Sequence, residues 1–241
     1  FSSGVQGAYL ARLYNRVVGP ALQGGLSLDD VSRALFYRRT ATERSRLANP
    51  LGIQGEREFN LMEKRLGPKK SAVLRQAMDD FWRNRESSVV RRLKDSGALK
   101  PELMAKIETN PEYAKFFVQE HMQDEGTVKA AGWSALRAQY GTFKEVGDPL
   151  LETVLADLSL LRLAQRAEAA RATADWITQD FSGLAQPAET KWNGRNHAPI
   201  EPKDPNLGLF TYMRDGRVVG LWIPKRLAQA LDAHVEESGN A

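Results

Sequence analysis

From Pro149 to Asp180 no glycine and no further proline interrupts the chain, and a run of that length restricts the fold more than any other stretch. Asp148 offers a side-chain oxygen to the first unpaired backbone N–H groups. Pro149 then stands where its missing N–H costs nothing, the first helical position. The spacing predicts one helix over about 148–180, on the order of 45 Å long at about 1.5 Å per residue. Leu151, Val154, Leu155, Leu158, Leu161 and Ile177 fall largely on one stripe, while Glu152, Asp157, Arg162, Arg166 and Arg171 can take the other side. A rod of this size can serve as the spine of a 241-residue chain.

Ahead of the spine, residues 1–140 read as a series of helices. Tyr9, Leu10, Leu13, Tyr14 and Val17 share helical spacing, and Gly19-Pro20 is the predicted stop. Ser27 is the predicted cap of a second helix, with Asp29 and Asp30 in its first turn and a breaker at Asn49-Pro50-Leu51-Gly52. A third fits Glu56–Leu66, ended by Gly67-Pro68, and a fourth runs from Pro68 to about Asp95, closed by Ser96-Gly97. Pro101 and Pro111 open two short helices, and Thr127–Tyr140 makes another around Val128, Trp133 and Leu136. Gly141 and Gly147 flank the turn before the spine.

Behind the spine, residues 182–208 gather Pro187, Pro199, Pro202 and Pro205 and read as an extended loop. Two β-rich runs joined by Asp215-Gly216 then predict a hairpin over about 209–223, followed by a short helix from Lys225 to about Val235. The fold class expected is mainly α: a multi-helix assembly around one long helix, with a small C-terminal β-hairpin and a short terminal helix. Its segments are 1–140, 141–181, 182–208 and 209–241, packed as one domain and as a fragment of a longer protein.

Several chemistries are absent from the sequence. There is no cysteine, hence no disulfide, thiol nucleophile or thiolate metal site. Phosphate-cradling glycine loops, the G-x-S-x-G elbow and H-E-x-x-H do not occur. No run of about 18 apolar residues exists to cross a bilayer, and F-S-S-G-V-Q-G does not read as a signal peptide. His121 with Asp124 and Glu125 reads as a solvated helix end, His197 in K-W-N-G-R-N-H lacks a neighbouring ligand, and His234 suits a helix C-terminus. No catalytic, cofactor-binding or metal residue is therefore assigned, and the chain is expected not to be an enzyme.

The net charge of +4 comes from 34 Lys and Arg against 30 Asp and Glu, an interleaved pattern rather than a one-signed one. Two clusters are denser: Arg33, Arg38, Arg39, Arg44 and Arg46 on the second helix, and Arg83, Arg85, Arg91 and Arg92 toward the end of the fourth. Aligned in space they would form a phosphate-binding strip, and they are the candidate nucleic-acid contacts. The plainer reading, which the sequence favours, is a solvated face balanced by Glu43, Asp79, Asp80, Glu86 and Asp95. Of the five tryptophans, Trp192 in the Pro-rich stretch and Trp222 on the hairpin are the candidate partner contacts.

The order of parts resembles a known group. F-K-E-V-G-D-P-L, then L-x-x-V-L-A-D-L-x-L-L-R-L-A-Q-R-A-E-A-A-R-A, a loop, and F-x-Y-M-R-D-G-R-V-V-G-L-W-I-P-x-R-L-A-Q-A-L are similar to the large polyvalent protein-associated domains of tailed phages and mobile elements. The upstream F-Y-R-R-T-A-T-E-R-S-R-L-A-N-P-L-G-I resembles the segment such proteins carry before it, so the likeness covers about residues 28–235. It implies a non-enzymatic structural protein, an internal virion or DNA-ejection protein or a domain of one, carried inside the particle and delivered to the host cell. Its implied partners are other virion proteins or copies of itself, with DNA as a further contact. An accessory domain of an injected antirestriction or nucleic-acid-processing enzyme and a non-specific DNA-binding module are the alternatives.

Overall fold

A computed structural model describes residues 2–42, 53–109, 148–194 and 196–237. The helices expected over Pro111–Asp124 and Thr127–Tyr140, the turn before the spine, and Arg44 and Arg46 lie outside the described residues. The fold is mainly helical, with a small antiparallel sheet near the C-terminus and a short terminal helix. Its described residues belong to two compact units, one holding residues up to 92, 102–109 and 148–162, the other 93–101 and 163–237.

In the first unit, α1 (Ser2–Leu13) passes through a π turn over Tyr14–Val18 straight into α2 (Gly19–Gln23), so the predicted stop at Gly19-Pro20 does not occur. The Gly19 N–H donates to the Tyr14 carbonyl, five residues back. That wider turn makes room for Pro20, which lacks an N–H and would crowd the carbonyl four residues earlier. Ser27 then caps α3 (Leu28–Thr42): its Oγ accepts the Asp30 N–H at 3.1 Å, and the Asp30 carboxylate accepts the Ser27 N–H at 2.9 Å. The helix α4 (Gly55–Arg85) is two helices in series, broken at Gly67 (φ 76°, ψ 168°) as the Gly-Pro pair predicts. A second π turn over Glu86–Val90 continues it into α5 (Arg91–Ser96), and Gly97 (φ 63°) closes that helix. A short α6 (Pro101–Thr109) follows. Tyr9, Val17, Val31, Leu74, Met78 and Phe81 are among the side chains that α1–α4 bury together.

The spine exists as α7 (Pro149–Asp180), and its cap is the predicted one: the Asp148 carboxylate accepts the Leu150 N–H at 2.9 Å and the Leu151 N–H at 3.3 Å. Its apolar stripe keeps Val154, Leu161 and Ile177 of the one expected and is otherwise turned from it. Leu150, Val154, Asp157, Leu161 and Ala164 are inside, stepping by four and three, whereas Leu151 and Leu155 are exposed. Asp157 shares that stripe and enters the interior paired with Arg85 and Tyr9.

The second unit contains the sheet. The strands β4 (Leu207–Arg214) and β5 (Arg217–Pro224) pair one-to-one from Leu207↔Pro224 to Arg214↔Arg217. Asp215 (φ 51°) and Gly216 (φ 70°) form the two-residue turn, both with the positive φ that a type I′ hairpin needs. Phe210, Tyr212, Leu221 and Ile223 form one core with Ala174 and Ile177 of α7 and Ala228 of α8 (Lys225–Glu237). Residues 182–208 are not the extended loop expected. They form β1 (Gln186–Pro187), paired with β5, and a ribbon of β2 (Thr190–Trp192) with β3 (His197–Pro199). The strand order of the main sheet is β1-β5-β4. Backbone bonds pay for this order where prolines cannot: Ala188 N–H to the Gly220 carbonyl at 2.9 Å, and Ile200 N–H to the Glu189 carbonyl at 3.0 Å. Gly220 lies under Pro199 and Ala188, and a Cβ there would fall 2.6 Å from the Pro199 ring.

Candidate nucleic-acid and partner interface

The two arginine clusters sit on α3 and on the α4–α5 stretch, and α3 packs along α4. Packing therefore brings the described parts of both clusters to neighbouring helices, but carboxylates come with them. Arg38 reaches Asp79 of α4 at 3.3 Å. Arg33 pairs with Asp29 at 2.9 Å along α3, and Arg83 lies 3.5 Å from Asp80 along α4. Arg39 and Arg92 are half-buried, and Arg91 is exposed without an ion pair among the described residues. Exposed pairs of this kind contribute little to stability, about 0–1 kcal/mol each, yet each neutralises a cation that a phosphate would need. The solvated, balanced face is the better description of these positions.

Arg85 is a correction. It points inward, 1% exposed, and donates from Nε to Asp157 Oδ1 at 2.8 Å. Tyr9 donates its hydroxyl to the other oxygen, Asp157 Oδ2, at 2.7 Å. One fully buried carboxylate thus receives a guanidinium and a phenol from helices distant in sequence. Burial, followed by the charge of Asp157 and its hydrogen bond, pushes the Tyr9 phenol far above its ordinary range. This group is a structural lock and offers nothing to DNA. The Trp82 ring packs beside it, with the Arg85 guanidinium 5.7 Å from its centre.

A second ion pair forms where α4 is broken. Arg75 donates from both Nε and Nη2 to the carboxylate of Glu63, the Nη2 contact measuring 2.7 Å, and Ser71 donates to the Glu63 carbonyl at 2.8 Å. These bonds clamp the helix ends on either side of Gly67. The Arg75 hydrogen bonds, working against burial, hold the Glu63 carboxyl below its usual range.

The tryptophans separate. Trp222 is half-buried, and its indole N–H donates to the Ile200 carbonyl at 2.8 Å, which anchors the chain after β3. Trp192 stays a partner candidate: it is 57% exposed on β2, directly across from His197, with ring centres 5.5 Å apart. Sequence reasoning passed over a third aromatic, Trp176. It is 48% exposed on α7 and packs edge-on against Phe181 at 4.9 Å, with Leu184 exposed a turn further on. Its spacing, one residue before the buried Ile177, is the signal that places it outside. Arg171 also differs from expectation: half-buried, it donates to the Ser96 and Asp95 carbonyls at 3.3 and 3.1 Å, capping α5.

Among the described residues no group of three or more histidines, aspartates or glutamates is arranged to hold a metal ion, and no helix is long and apolar enough to cross a membrane. His197 is exposed, while His121 with Asp124 and Glu125 lies outside the described residues. Comparison of the chain with protein-family models, with curated proteins and with solved structures finds no match in any of the three.

Proposed function

We propose that this chain is a non-enzymatic assembly protein of a tailed bacteriophage, an internal virion or DNA-ejection protein or a domain of one, carried in the particle and delivered to the host cell. The phage assignment rests on the order of sequence elements that resembles the large polyvalent protein-associated domains. The observation that carries the assembly role is a set of large apolar side chains about half exposed: Leu151 in the first unit, and Trp176, Phe181, Leu184 and Trp192 in the second. Such surface favours burial against another chain at roughly 25 cal/mol per Å² removed from water. Copies of the same chain or other virion proteins are the partners. DNA is a secondary contact, made through the exposed Arg33, Arg83 and Arg91 and weakened by the carboxylates beside the first two.

Light scattering during size exclusion, at low and at ~0.5 M salt, with and without duplex DNA, tests this reading. An oligomer that persists in high salt and ignores DNA is the expected result. A monomer that joins DNA only near ~50 mM salt, where phosphate contacts are strongest, would replace it with a non-specific DNA-binding module.

A further inference from the structure

The sheet of the second unit is finished at one edge and open at the other. On the β1 side the edge strand is two residues long and one of them is Pro187, which cannot donate. On the other side β4 runs for eight residues, pairs among the described residues with β5 only, and contains neither proline nor a charge before Arg214. Its pairing to β5 is one-to-one throughout, so no bulge turns the edge away. The helix α8 lies on the core face, where Ala228 joins Phe210 and Tyr212.

The hairpin turn fixes which backbone groups look outward. A two-residue loop makes Arg214 and Arg217 a hydrogen-bonded pair, and the pattern alternates from there: Tyr212, Phe210 and Gly208 bond to β5, while Met213, Thr211, Leu209 and Leu207 point away from it. Two bonds at the strand's start agree with this phase. Lys225 N–H meets the Asn206 carbonyl at 2.8 Å, and the outward Leu207 N–H is taken by the Asp204 carbonyl at 3.1 Å. The outward N–H and C=O groups of Leu209, Thr211 and Met213 have no hydrogen-bond partner among the described residues.

We infer that this edge pairs with the same edge of a second copy of the chain, antiparallel, about a two-fold axis at Thr211. In that register Thr211 faces Thr211 of the other copy and Leu209 faces Met213, so three residue pairs can each exchange two backbone hydrogen bonds. Thr–Thr and Leu–Met are favourable cross-strand neighbours. The strand's charge, Arg214, falls opposite Gly208 of the other copy and never opposite itself, so no like charges meet. The same strand thus supplies both halves of a complementary set, which a second copy satisfies without any further partner. The inference adds a backbone edge, separate from the exposed apolar side chains above, to the assembly reading and rests on that reading for the choice of a second copy as occupant.

Sedimentation of the full chain over a range of concentrations, beside Thr211→Pro and Thr211→Val, tests it. Proline at 211 removes an N–H that the hairpin does not use, so the fold is kept and checked by circular dichroism, while self-association weakens at least tenfold. Valine leaves association unchanged. Because the chain has no cysteine, Thr211→Cys supplies a single thiol. The Cα atoms of a hydrogen-bonded pair lie about 5.5 Å apart, within disulfide reach. Mild oxidation is expected to link Thr211→Cys chains into dimers faster than the exposed control Thr178→Cys. Association that survives Thr211→Pro, or no preferential cross-linking at 211, overturns the edge proposal and leaves assembly intact. A wild-type chain that stays monomeric overturns both.

Discussion

Asp157 shows how much one buried charge can decide. With Arg85 on one oxygen and Tyr9 on the other, its burial is compensated, and removing one member strands the others away from water. Asp157→Ala is expected to lower stability by about 3–5 kcal/mol in urea denaturation. Tyr9→Phe, Arg85→Met and Asp157→Leu combined should lose far less than that single change, because no uncompensated charge remains. Glu63 behaves differently, being paired with the exposed Arg75, which holds it below its ordinary 4.5. A depressed carboxyl stabilises above its unfolded value and loses that contribution as pH falls through its folded one. The stability gap between the wild type and Glu63→Gln, measured by thermal melts from pH 7 down to about pH 3, should therefore be largest near neutrality and close in acid. The sequence placed both Arg85 and Asp157 toward solvent. Each looks like any surface charge locally, and only partners 72 residues apart in the chain reveal the pair.

Elements whose boundaries depend on local chemistry were legible. Ser27 and Asp148 cap where their side chains and neighbours predict, Gly67-Pro68 breaks α4, and Asp215-Gly216 turns the hairpin. What escaped was made by distant pairing or by local rescue. The strands β1 to β3 are two or three residues long and are defined by their partners, and the π turn before Pro20 absorbs a residue that reads as a stop. Two glycines with similar φ should respond differently to alanine. At Gly67 an added Cβ meets nothing within 4 Å, so Gly67→Ala costs only the positive-φ extended backbone that glycine alone adopts freely, about 1–3 kcal/mol. At Gly216 it would fall 2.1 Å from the Lys100 Cα, so Gly216→Ala should cost more and also disturb the turn's dock on that segment, visible as a larger drop in denaturation midpoint.

At the scale of the molecule, the mainly helical class followed from periodicity and breakers, whereas the division into two compact units did not. The sequence reads as one domain because α7 is continuous; its residues to Arg162 belong to one unit and those from Leu163 to the other. The described part of the arginine clusters is interleaved with carboxylates for a reason also invisible locally: Asp79 answers Arg38 from another helix. The two π turns have unlike consequences for chain length. A π turn holds one residue more than an α turn and leaves the helix beyond it in phase. The first is bound to Pro20, and shortening it would force that ring against a carbonyl. The turn over Glu86–Val90 has no proline after it, and Arg91 N–H simply spans back to the Glu86 carbonyl. It has the form of a single-residue insertion that the helix has absorbed, so a chain one residue shorter there would present the same faces on both sides.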